Sequence, residues 1–325
     1  MTAFRCIAIA AVVSIPVGLA GAHPGHDEPV EVSSLFAADA PVVTLEERDG
    51  FRHITSNGLP GHATGAFPNR GNPHRISEQN YRFRVTLTPA PAGQPVSIPR
   101  GVVGIAINGV VFDPGTAEAW RNDVNSGWNI EGIHPRQGGL LGMDQNNAHV
   151  QPTGAYHYHG IPVGLVAQLQ AKHGKDKMLL LGWAADGYPI YAPMAHENAD
   201  DASSKLRAMT SSYRIKPGTR PGGNDGPGGR YDGTYTQDYE YVEGLGDLDA
   251  CNGRTGVTPE YPEGTYYYVV TETFPYLPRQ LKGEPDASFR RGRGGPSGPG
   301  GSREPSRPNA PSGPHGGPGR RPPSR

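Results

Sequence analysis

The chain predicts a mainly β protein: a single β-rich domain, sandwich-like, with one or two short helices. Three observations carry that expectation. Over Tyr81–Thr88 apolar and polar residues alternate, with Tyr81, Phe83, Val85 and Leu87 on one face and Arg82, Arg84, Thr86 and Thr88 on the other. Runs of this kind are short and bounded by Gly, Pro, Asn and Asp, such as Asn108-Gly109 and Asp186-Gly187. Only Ile161–His173 carries a clear amphipathic helical pattern, with Pro162 near its first turn and Gly174 as its stop.

The ends differ from the middle. Residues 1–22 have the form of a signal peptide: Arg5, an apolar run from Ile7 to Leu19, then Ala20-Gly21-Ala22 as a small-x-small cleavage site. That run is too short and interrupted for a membrane span, and no later stretch is apolar enough for one. A periplasmic or secreted location is therefore expected. Residues 23–49 form a leader, 50–284 the β-rich domain, and 285–325 a tail of Gly, Pro, Arg and Ser expected to be disordered. The formal charge is −1 overall. Residues 286–325 carry eight arginines against Asp286 and Glu304, a net of +6. With Arg5 set aside, the body holds about −8, which argues against nucleic-acid binding. The basic tail is suited to anionic surfaces. Cys251 is the only cysteine after the signal, so no intrachain disulfide forms in the mature chain.

In chain order, Ile54–Asn80 reads as a turn-rich loop holding His62 and His74. Short strands are expected around Val96–Phe112. A helix is expected over Thr116–Val124, carrying Glu118, Ala119 and Trp120. Asn125–Gly142 is irregular and contains Trp128 and His134. After the 161–173 helix come a strand from Met178 to Trp183, a turn at Ala184–Gly187, and Tyr188–Tyr191. Pro217–Tyr231 is a loop, and Gly264–Val270 is a late strand.

The chemistry concentrates in Gly154-Ala155-Tyr156-His157-Tyr158-His159-Gly160. On a strand, period two puts His157 and His159 on one face and both tyrosines on the other. An H-x-H pair can supply two ligands to a Zn or Cu ion, although half-buried strands also take His and Tyr for packing alone. His149 and Asp144 lie just upstream, giving His157, His159, His149 and Asp144 as the ligand set. His134, His62 and His23 are reserve ligands. Trp128, Trp183, Tyr188 and Asp186 are candidate substrate contacts. A serine elbow, an H-E-x-x-H helix and a P-loop are all missing from the sequence. Cys251 beside Arg254 is a weaker nucleophile candidate.

The Tyr156–His159 motif, Asp144 and His149, Gly182–Tyr191, Gly264–Tyr268 and Phe274-Pro275-Tyr276 together resemble the YHYH-domain family of exported proteins, over roughly residues 50–280. The resemblance implies kinship rather than a defined activity. It also implies that Tyr267 stands where relatives commonly carry histidine, so a site using that position would be altered here. The expected function is an exported metal-binding protein, with a Zn- or Cu-dependent hydrolase or oxidoreductase within reach. The alternative is a non-catalytic domain that binds a small molecule, glycan or peptide, or serves as a structural surface module.

Overall fold

The computed structural model describes residues 40–134 and 141–290. The expected signal, most of the leader with His23, and most of the tail lie outside them. The strands run in chain order as β1 (Val43–Arg48), β2 (Phe51–Ser56), β3 (Tyr81–Thr86), β4 (Val96–Ser97), β5 (Gly104–Ala106) and β6 (Val111–Phe112). They continue with β7 (Ala148–Val150), β8 (Tyr156–Tyr158), β9 (Leu180–Ala184), β10 (Pro189–Tyr191), β11 (Met194–His196) and β12 (Leu206–Ala208). The last are β13 (Tyr213–Ile215), β14 (Tyr239–Tyr241), β15 (Gly253–Gly256), β16 (Thr265–Val269) and β17 (Gln280–Leu281). The α-helices are α1 (Val163–His173) and α2 (Ala287–Arg290).

The protein is mainly β. Its principal sheet has eight strands in the order β15-β16-β10-β9-β5-β6-β8-β7, and β1-β2-β3 form a separate three-stranded sheet. The alternation at β3 explains how the two meet. Phe83 and Val85 are buried while Arg82 and Arg84 are exposed. Phe83, Val85 and Ile54 enter the same core as Ile105, Leu181, Ile190 and Tyr158 of the large sheet. Each such side chain contributes about 1.5–3 kcal/mol on burial. Arg52 of β2 also stacks over Trp183 of β9, 4.1 Å from the ring centroid.

The turns follow the sequence signals. Gly109 links β5 to β6 at φ 82°, and a Cβ there would lie 2.0 Å from Ser56 Oγ. Gly187 turns β9 into β10 at φ 94°. In α1, Leu165 and Leu169 are the buried residues.

Two expectations are corrected. Thr116–Val124 is not a helix: only Trp120–Asn122 forms a 3-10 turn, with Arg121 and Asn122 at φ 57° and 56°. Left-handed backbone at two successive residues cannot continue an α-helix. The tail boundary at 285 is also too early. Phe289 of α2 is buried and stacks on Phe83 with ring centroids 4.4 Å apart, so the packed fold includes Ala287–Arg290. A composition average over 285–325 hides that single aromatic anchor.

Candidate metal centre

Three strands at one end of the large sheet build the site. β8 pairs parallel with β6, with Val111 opposite His157, and antiparallel with β7, with His149 opposite His157. Side chains on paired positions share a face. His149 and His157 therefore project together, while Tyr156 and Tyr158 go to the other side. Gly154 closes the β7–β8 connection at φ 83° and donates its N–H to Gln151 O at 2.8 Å. His159, two residues beyond His157, returns to the histidine face, its backbone N–H bonded to Asn147 O at 2.8 Å.

The imidazoles converge. Ring centroids are 4.5 Å apart for His149 and His157, and 4.8 Å apart for both pairs involving His159. Nε2 of His157 and Nε2 of His159 are 3.0 Å apart. One ligating atom from each of the three lies within 4.8 Å of the others. Main-chain carbonyls fix two of the rings. Nδ1 of His149 is 3.0 Å from Leu141 O, and Nδ1 of His157 is 3.2 Å from Ala155 O. An N–H at Nδ1 donates to each carbonyl and leaves each Nε2 unprotonated, that of His157 facing Nε2 of His159. Asn72 braces the same corner, donating from Nδ2 to Val150 O at 2.8 Å.

Burial sets the charge state. It pushes His149 and His157 down to about 4, with His157 adding to the effect at His149. His159 lies well below its ordinary value, first through burial and then through His157, His149 and Arg279. All three are neutral at pH 7, the form a metal requires. Arg279 is itself held by Glu131, both carboxylate oxygens lying 2.9 Å from Nη2.

The cluster opens on a cavity of about 1000 Å3 whose wall includes His149, His157, Asp113, Glu118, Asn72 and Gln151. Asp113 follows β6 on the histidine face, and its N–H bonds Tyr158 O at 3.0 Å. Its carboxylate accepts from the Gly101 N–H at 3.2 Å and from Gln151 Nε2 at 3.1 Å.

Other candidates fall elsewhere. Asp144, expected as a fourth ligand or orienter, accepts from Tyr156 OH at 2.7 Å, Gly65 N at 3.0 Å and Asn146 N at 2.8 Å. It therefore serves the tyrosine face. The cause is the Asp144–Ala148 turn, with Asn147 at φ 52°, which carries the carboxylate behind β8. His62 lies on that face too, with Nε2 2.6 Å from Tyr158 OH. His134 is buried against Asp232 O at 2.9 Å. Trp128, Trp183, Tyr188 and Asp186 do not line the cavity. Trp128 bonds Asp225 O, while Trp183 and Tyr188 are core residues, and Asp186 is buried against Tyr268 OH at 2.5 Å. Tyr267 packs in a second core with Tyr191 and Leu248, and Arg254 donates to its hydroxyl at 2.7 Å. Cys251 is buried, and desolvation with nearby Asp249 pushes its thiol up to about 12, so it supplies no thiolate.

Sequence reasoning missed Asp113, Gln151 and Asn72. Asp113-Pro114-Gly115 reads locally as a strand stop, and only the β6–β8 register shows which face the carboxyl takes.

A family model described as YHYH protein matches residues 82–283. No curated protein and no solved structure matches the chain. Among the described residues no helix is long and apolar enough to cross a membrane.

Proposed function

From a chain that belongs to the YHYH protein family, we propose an exported protein that binds one zinc or copper ion through His149, His157 and His159. The observation that carries this reading is the convergence of three neutral imidazoles, each ligating atom within 4.8 Å of the others. Zn–N bonds of about 2.0–2.1 Å in tetrahedral geometry put two nitrogens about 3.3 Å apart. The 3.0 Å between the Nε2 atoms of His157 and His159 is close to that edge. The carbonyls of Leu141 and Ala155 supply the outer hydrogen bonds that orient metal-bound imidazoles. An all-imidazole set suits both Zn and Cu(II), with Cu(II) favoured on affinity. Export is supported by the signal pattern of residues 1–22.

Three protein ligands leave an open position, and the cavity provides access to it. An ion held by His149, His157 and His159 would supply Lewis-acid chemistry there, activating water or polarising a carbonyl or phosphoryl group. A metal-dependent hydrolase or oxidoreductase is the activity class this arrangement supports.

Elemental analysis after reloading with Zn or Cu, in wild type and in His157→Ala/His159→Ala, tests the reading. One equivalent in wild type, lost in a folded double variant, is the expected result. A folded wild type that takes up neither ion overturns it. The 3.0 Å contact is then an N–H···N hydrogen bond within a purely structural cluster.

A further inference from the structure

We infer that Asp113 selects what occupies the open position of the histidine site, favouring a ligand that donates a hydrogen bond, such as water, an alcohol or an amine, over an anion. The inference rests on the metal reading above and concerns this chain's own carboxylate. Asp113 shares a sheet face with the histidines through the β6–β8 register. It also shares the cavity wall with His149 and His157. It lies outside the set of atoms that converge within 4.8 Å, so it flanks the cluster instead of joining it.

Its surroundings hold it as an acceptor. Both of its hydrogen bonds, from Gly101 N–H and Gln151 Nε2, are donated to it. Asp113 is 7% exposed, so its carboxylate is little screened by water. Burial raises its pKa, and the Gly101 and Gln151 donors partly offset that by favouring the charged form. The arginines lining the cavity point elsewhere, and Arg279, whose charge reaches both Asp113 and His159, is paired with Glu131. Arg100 donates from Nη2 to Val124 O at 3.4 Å, and Arg290 lies 3.8 Å from Glu284. Glu118, on the same wall, adds a second negative charge. An anion reaching the open position meets these carboxylates, whereas an O–H or N–H donor can bond to Asp113.

The test uses the full chain loaded with Cu(II), and sodium azide as the anionic probe, followed by azide-to-copper charge-transfer absorption. Copper content and thermal melting are measured first for wild type, Asp113→Asn and Glu118→Gln. Azide is expected to bind Asp113→Asn about tenfold more tightly than wild type, from loss of one nearby charge in a poorly screened cavity. Glu118→Gln should shift it by less than about threefold. Asp113→Ser carries the same expectation as the Asn variant and replaces it if that variant does not fold. Equal azide affinity in wild type and the Asp113 variants overturns the inference. So does an equal shift in Glu118→Gln, which would mark a diffuse field. Loss of copper from a folded Asp113 variant also overturns it, because Asp113 would then be a ligand. A wild type that takes up no copper defeats the metal reading, and this inference with it.

Discussion

His149 and His157 are register partners on adjacent antiparallel strands, and their ring centroids lie 4.5 Å apart at an interplanar angle of 60°. The strand pairing itself thus holds two of the three candidate ligands, and the third follows His157 by one alternation. His149 is the most exposed of the three. His149→Ala should therefore leave the fold nearly intact. It should weaken Zn or Cu binding by more than the roughly 10- to 100-fold typical of losing an outer-shell partner. Competition against a chromophoric chelator measures it, and unchanged affinity would remove His149 from the site.

Acid should destabilise the metal-free protein through these rings. His149 and His157 have folded values of about 4 against an ordinary 6.5. Between those values the unfolded chain binds more protons, so stability is fully present above about 6.5 and is lost as pH falls toward 4. Burial raises the pKa of Asp113 and Asp186, which works in the opposite sense. The comparison that isolates the histidines is wild type against His157→Gln. The variant's Tm should fall less between pH 7 and 4. Parallel Tm curves would show that His157 is not held neutral by its surroundings.

The sequence disclosed the histidine pair because period two is a local property of Tyr156–His159. It misplaced Asp144 for the same local reason. Nearness in sequence stood in for nearness in space, and the Asn147 turn sends that carboxylate to the tyrosine face. Asp113 was invisible because β6 and β8 are parallel neighbours joined by a long crossover, a pairing no short-range pattern specifies. The β3 alternation and the α1 boundaries were legible because their buried faces are continuous in sequence. The expected helix over Thr116–Val124 failed on the left-handed backbone at Arg121 and Asn122, which their side chains do not announce.

The two faces of β8 should separate by mutation. Tyr158 OH lies 2.6 Å from His62 Nε2 and accepts from Asn108 Nδ2 at 2.9 Å. Tyr158→Phe leaves those half-buried partners without it, at a cost of about 0.5–1.5 kcal/mol. Its metal content should equal that of wild type, because the hydroxyl is on the side away from the imidazoles. Urea unfolding and elemental analysis on the same samples decide it. Metal loss in a folded Tyr158→Phe would mean that the tyrosine network sets the histidine geometry.

The ion pair between Arg279 and Glu131 offers the most severe test of how the site is supported. Its side chains are 12% and 0% exposed, and both carboxylate oxygens contact Nη2 at 2.9 Å. Gly132, next to Glu131, packs so closely that a Cβ there would lie 3.0 Å from His159 Nδ1 and 2.9 Å from Met143 Cε. The pair therefore anchors the segment that backs His159. Glu131→Ala strands a buried guanidinium and should cost about 3–5 kcal/mol. Replacing both partners, as Glu131→Leu/Arg279→Met, removes the stranded charge and should restore most of that loss. Arg279 also disfavours protonated His159, so the double variant should hold its metal to a slightly less acidic limit than wild type. Equal destabilisation in the single and double variants would show that the charge pair is not what holds this wall in place.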